Sequence, residues 1–98
     1  MNNPIAALNK IFDSRIRLGV MSLLAVNKDI SFNELKEILA LTDGNLASHL
    51  TTLEQAAYIT VKKAFVGRKT NTTYSITSLG KEAFGSHLNA LEKMIKTL

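Results

Sequence analysis

The sequence predicts a mainly helical α+β fold in which short helices lead into a β-hairpin and a last helix follows it. Three observations carry this. Apolar residues recur every three or four positions between Ile16 and Leu53, the period drops to two from Ile59 to Phe65, and a helical period returns from Phe84 onward. The chain has 98 residues, 46% hydrophobic and 20% charged, enough for one domain with one modest core, so residues 1–98 are expected to form a single unit.

Asn3 and Pro4 read as the cap and first residue of an opening helix over Ile5 to Ile11, because proline has no N–H to leave orphaned there. Asp13 or Ser14 can cap the next helix, in which Ile16, Val20, Leu23 and Leu24 share a face while Arg15 and Ser22 look away. Asn27, Lys28 and Asp29 end it. Ser31-Phe32-Asn33-Glu34 has the capping-box pattern and predicts a helix from Phe32 to about Ala40 that buries Phe32, Leu35, Ile38 and Leu39. Leu41 to Gly44 breaks the period, and Thr42 can cap a fourth helix with the stripe Leu46, Leu50, Leu53 and Ala57. Two short helices joined by a tight turn, about 32–57, form a helix-turn-helix unit, which DNA readers use and bland helical hairpins share.

From Tyr58 the pattern is that of a strand, with Ile59, Val61 and Phe65 on one side and Thr60, Lys62 and Ala64 on the other. Gly67 to Asn71 supplies a polar turn, and Thr73-Tyr74-Ser75-Ile76 a return strand rich in β-formers. Thr77 or Ser78 can cap a final helix, about 78–98, where Phe84, Leu88, Leu91, Ile95 and Leu98 follow an alternating four-three spacing. That is a heptad seam, either intramolecular core or a dimer contact, and a dimer contact is expected because little chain remains to cover it. Gly80 and Gly85 each lower helix propensity by about 1 kcal/mol relative to alanine, so this helix depends on packing.

The order of helices and hairpin looks like a winged helix, with the wing at about 58–76. The stretches Thr42-Asp43-Gly44-Asn45-Leu46-Ala47-Ser48-His49-Leu50, Leu53 to Ile59, Phe65-Val66-Gly67-Arg68-Lys69 and Thr72-Thr73-Tyr74-Ser75-Ile76-Thr77 resemble winged-helix regulators related to the MarR and ArsR families. The likeness runs from about Arg15 to Leu91. It implies a winged helix-turn-helix with a C-terminal dimerisation helix, and a homodimeric transcriptional regulator that sets two recognition helices into successive major grooves of double-stranded DNA. Two departures lower the positive charge of that face: Thr51 and Thr52 stand where such regulators often carry basic residues, and Thr70-Asn71 where they often carry Pro-Arg.

The residues themselves support a DNA-facing surface. If Leu46, Leu50 and Leu53 face the core, helical geometry turns Asn45, Ser48, Thr51, Thr52 and Gln55 to solvent, where short donors and acceptors can read base edges. No lysine or arginine lies between Thr42 and Ala57, and Asp43 and Glu54 are acidic, so attraction to the phosphate backbone must come from elsewhere. Lys62, Lys63, Arg68 and Lys69 gather on the hairpin, and Gly67 lets its tip approach a phosphate or the minor groove. The plainer reading of these cations is a charged strand edge that discourages aggregation. His49 is either a packed, hydrogen-bonded imidazole or a DNA contact, and His87 is expected at the surface or filling a dimer interface. Arg15 and Arg17 are read first as solvated or locally paired, with phosphate contact second.

Composition narrows the remaining classes. The net charge of +4 favours anionic partners. With no cysteine there is no disulfide, thiolate metal site or thiol nucleophile, and no cofactor is expected. Two distant histidines, no phosphate-cradling glycine loop and no carboxylate pair at a useful spacing argue against an enzyme. Met1-Asn2-Asn3-Pro4 has no basic leader region and no apolar run reaches membrane-spanning length, so a cytoplasmic protein without a membrane partner is expected. A small-molecule effector would leave no signature. The rival to DNA binding is a protein-interaction module on the same scaffold, and the absence of cations on the recognition helix is the feature that feeds it.

Overall fold

Four hydroxyl side chains punctuate the chain, each accepting the backbone N–H three residues ahead and starting a helix there. Ser14 accepts from Arg17, Ser31 from Glu34, Thr42 from Asn45 and Thr77 from Gly80, at 2.9 to 3.3 Å. The helices that follow are α1 (Arg15–Val26), α2 (Phe32–Leu39), α3 (Asp43–Gln55) and α4 (Ser78–Lys96). At Ser31 the capping box is complete, since the Glu34 carboxylate accepts the Ser31 N–H at 3.1 Å. The computed structural model describes residues 3–96 and 98. Met1 and Asn2, read above for a targeting signal, and Thr97, part of the range expected for the last helix, lie outside the described residues.

The other helix ends are less conventional. Both α2 and α3 close with the paired backbone bonds of a Schellman motif, Ala40 to Glu37 with Leu41 to Lys36, and Ala57 to Glu54 with Tyr58 to Leu53. The left-handed residue in each is alanine rather than glycine, Ala40 at φ 53° and Ala57 at φ 62°. Ala57 therefore lies beyond the helix and is exposed, not on the buried stripe expected for it.

The hairpin is longer and its turn tighter than the sequence suggests. Strands β2 (Ile59–Val66) and β3 (Lys69–Ile76) pair antiparallel from Ile59 opposite Ile76 to Val66 opposite Lys69, leaving only Gly67-Arg68 as the turn. Gly67 takes φ +67° and Arg68 a negative φ, the sign pattern of the type II′ hairpin turn, which matches the twist of the strands. A two-residue strand β1 (Ile30–Ser31), too short to show a period, adds to the other side of β3 and gives the order β1-β3-β2.

The opening α-helix expected over Ile5 to Ile11 is absent. Residues 4–8 form turns and Lys10–Phe12 a single 3-10 turn. Helices this short are marginal unless packing holds them, and Ile5, Ala6 and Ala7 stay exposed. Asn9 instead anchors the segment, with its side-chain NH2 donating to the Tyr58 hydroxyl at 2.8 Å and its backbone N–H to His87 Nδ1 at 3.1 Å.

The core runs through Phe12, Val20, Met21, Leu24, Ile30, Leu35, Leu46, Leu50, Leu53, Ile59, Tyr74 and Phe84. The Phe12 ring stacks on Tyr58 and meets Phe84 edge-on, both at 5.6 Å between centroids. Three further expectations are corrected. Ile38 is exposed, because the covered arc of α2 runs through Phe32, Leu35 and Leu39 and leaves Ile38 on the other flank of Leu35. His87 is buried against Phe12 rather than at the surface or filling a dimer interface, and Phe84 belongs to the chain's own core rather than to the outward seam.

Candidate nucleic-acid interface

Helix α3 owes its orientation to Leu46, Leu50 and Leu53, all fully buried against α1, α2 and the sheet. That leaves Asn45, Ser48, Thr51 and Gln55 exposed and Thr52 half-buried. Thr51 donates its hydroxyl back to the Ala47 carbonyl at 3.0 Å and Thr52 to that of Ser48 at 3.3 Å. With those protons engaged, both oxygens keep only acceptor capacity. The side chains of Asn45, Ser48 and Gln55 make no hydrogen bond among the described residues and keep full donor and acceptor capacity.

The helix-turn-helix carries four acids, Glu34, Glu37, Asp43 and Glu54, against one cation, Lys36. Lys36 on α2 pairs with Asp43 in the first turn of α3 at 2.9 Å, so the one acid at the helix start is neutralised across the turn. His49 sits half-buried on the flank of α3, where Arg17 Nη1 approaches its Nδ1 at 2.8 Å. Guanidinium has donors only, so Nδ1 accepts and the ring proton lies on Nε2. Burial first, and the Arg17 charge second, hold the imidazole below the ordinary histidine value of 6.5. Arg17 also donates through Nε to the Ile11 carbonyl, which fixes it between the 3-10 turn and α3. Arg15 is exposed.

The hairpin cations divide between faces. Every residue from Thr60 to Asn71 is exposed, so the hairpin projects beyond the core. Strand alternation puts Lys63 on the face continuous with Ile59 and Tyr74, and Lys62 and Lys69 on the opposite face, with Arg68 in the turn. None of the four is ion-paired among the described residues, and residues 59–76 hold no acid. Lys63 overlooks a cleft of about 350 Å³ between the hairpin and the start of α2, lined also by Phe32, Asn33, Thr70, Asn71, Thr72 and Tyr74. Burial, and next the Glu54 carboxylate, raise the Tyr74 hydroxyl above its usual 10.

Beyond the core, α4 carries an apolar outer surface. Leu88 and Ile95 are exposed, Leu91 is half-buried, and Leu91, Met94, Ile95 and Leu98 line one patch. Among the described residues no group of three His, Cys, Asp or Glu side chains converges on a metal position, and no helix is long and apolar enough to cross a membrane. Sequence reasoning missed the Arg17–His49 contact and the part of Asn33 in the cleft. Both join residues whose separation in sequence carries no local pattern.

A three-stranded antiparallel sheet with a projecting hairpin, set behind a capped helix-turn-helix, defines the winged-helix class. The chain belongs to the winged helix DNA-binding domain family, whose model matches residues 16–95. It is 36% identical over 89 residues to an uncharacterized protein of Methanocaldococcus jannaschii, across 91% of this chain and 97% of that one. A transcriptional regulator homologue from Pyrococcus horikoshii superposes with a TM-score of 0.78 at 31% identity, across 90% of this chain and 92% of that one. The MepR–DNA complex of S. aureus shares the fold, with a TM-score of 0.74 at 13% identity over 90% of this chain and 72% of that one.

Proposed function

We propose that the protein is a homodimeric transcriptional regulator that binds double-stranded DNA sequence-specifically, with α3 in the major groove and the hairpin on phosphates or in the minor groove. The observation that carries this reading is the pairing of two complementary surfaces in consecutive elements. Only Ala56, Ala57 and Tyr58 separate the polar, cation-free helix α3 from a hairpin that holds no acid and four cations unpaired among the described residues. Asn45, Ser48, Thr51 and Thr52 offer the short donors and acceptors that suit base edges, and Asn45 can make the bidentate contact to adenine. His49 offers Nε2–H at the flank of the same helix. Lys62, Lys63, Arg68 and Lys69 provide the non-specific attraction that α3 lacks.

Dimerisation is assigned to the outer surface of α4, through Leu88, Leu91, Ile95 and Leu98, with Phe84 now counted as core. The solved regulator homologue and the DNA-bound relative support the reading by analogy of fold. Selection of bound sequences from a random duplex pool tests it. The reading predicts a pseudo-palindromic motif with half-sites centred about one helical turn, roughly 10 bp, or a multiple of it apart. A pool that is not enriched, or one without two-fold symmetry, would count against it.

One observation favours a second reading. Within α3 there is no cation, and Glu54 remains acidic, so the helix by itself would suit a protein partner better than a phosphate backbone. In that reading the fold serves as an interaction module with weak or no DNA binding.

A further inference from the structure

We propose that Phe65 is a wedge, an aromatic side chain at the end of the hairpin that enters the minor groove of duplex DNA, separates two stacked base pairs and kinks the helix. The proposal rests on the DNA-binding reading and adds a mechanical action to it. Phe65 is 80% exposed and pairs with Thr70, one residue pair short of the Gly67-Arg68 turn. Val66 beside it is 66% exposed on the opposite face, so the projecting end of the hairpin is apolar on both sides.

The charge around this end identifies its occupant. Lys63 shares the face of Phe65, Lys69 shares that of Val66, and Arg68 sits in the turn, with no acidic residue in either strand. A ring set among unpaired cations matches a partner that presents flat apolar surfaces between two lines of negative charge, which is the stacked interior of a duplex between its phosphates. A second copy of the chain is disfavoured here, because two such hairpins would bring like charges together. Shape agrees with charge. The minor groove, roughly 6 Å wide, admits the end of a ribbon with a two-residue turn but not its full breadth. With the end seated, Lys62 and Lys63 lie two to three residues behind Phe65, about 7 to 10 Å back along the strand and level with the phosphates. Phenylalanine is among the side chains able to unstack a base step in this way.

Ring closure of a random-sequence duplex of about 120 bp, shorter than the persistence length of roughly 150 bp, reads such kinks without knowledge of the preferred site. At occupancy matched by gel retardation, wild-type protein is expected to raise the closure rate about tenfold, and Phe65→Leu to keep most of that gain. At the same matched occupancy Phe65→Ala is expected to keep the salt dependence of wild type, since no cation is removed, and to give no acceleration. Equal acceleration by wild type and Phe65→Ala, or none by wild type while bound, would overturn the wedge and leave the binding reading intact. A change of Phe65→Ala from dimer to monomer in sedimentation would reassign the ring to a subunit interface and also overturn it. If wild-type protein retards no duplex, the binding reading fails and the wedge with it.

Discussion

A β-carbon on residue 80 would lie 2.1 Å from the carbonyl oxygen of Tyr58, so the absence of a side chain at Gly80 sets how closely α4 approaches the start of β2. The neighbouring bonds converge on the same point, with the Thr77 N–H donating to the Tyr58 carbonyl at 3.0 Å and the Thr77 hydroxyl to the Ala57 carbonyl at 2.7 Å. The junction therefore holds α3, the hairpin and α4 in one arrangement.

Gly80→Ala and Gly85→Ala should have opposite effects on stability. Both gain about 1 kcal/mol of helix propensity. At residue 80 the clash is with backbone, which cannot swing aside, so a net loss of about 2 kcal/mol or more is expected. At residue 85 nothing lies within 4 Å, and the propensity gain should survive. Urea denaturation of the two variants checks this, and a stabilised Gly80→Ala would mean that α4 sits farther from Tyr58 than described.

Ala57→Gly should stabilise the protein, by about 0.5 to 1 kcal/mol. A left-handed alanine is strained by roughly 1 to 2 kcal/mol, and the extra freedom glycine brings to the unfolded chain returns about 0.4 to 1 kcal/mol of that. Denaturation midpoints again provide the measurement, and an unchanged or lowered midpoint would contradict the left-handed assignment at Ala57.

Stability should fall as the pH drops through the histidine range, in part through His49. Its folded-state affinity for a proton is depressed, by burial and then by Arg17, relative to an unfolded value near 6.5. The neutral ring is thus favoured by folding. The contribution is fully present above 6.5 and is lost as the pH falls from there toward the lower folded value. The loss in urea midpoint between neutral and mildly acidic pH should be smaller in His49→Gln, whose side-chain oxygen can still accept from Arg17 without titrating. Identical pH profiles for the two proteins would remove His49 from the account.

On the proposed α4 interface, Leu88→Asp combined with Ile95→Asp should convert the dimer to a monomer without unfolding it. Both side chains are exposed on the subunit, so neither change opens a core cavity. Sedimentation and helical circular dichroism together provide the check, and a variant that remains dimeric would move the interface elsewhere.

Legibility from sequence followed the range of each interaction. Ser31 and Thr42 could be found, and Ser14 and Thr77 narrowed to one of two neighbours, because a cap and its partner lie three residues apart, and the exposure of Asn45, Ser48 and Thr51 follows from the buried spacing of Leu46, Leu50 and Leu53. The helix end at Ala57 was hidden, since alanine is the strongest helix former and gives no sign of a left-handed turn. The anchoring of Asn9 by His87 joins residues 78 apart, so His87 read as a surface residue and the opening segment as a helix. Lys62 and Lys63 looked like one cluster, but the pleat sends them to opposite faces.

The central claim is that a polar helix and a cationic hairpin act together on duplex DNA, and the salt dependence of binding tests it most directly. Three or four phosphate contacts per protomer in a dimer predict retardation of random duplex at low salt, with a log–log slope of about −5 to −7. Arg68→Ala with Lys69→Ala removes two cations per protomer and should make the slope shallower by about 3 to 4, weakening binding almost equally on all sequences. Wild-type protein that retards no duplex at low ionic strength, or a double variant whose slope is unchanged, would contradict the account.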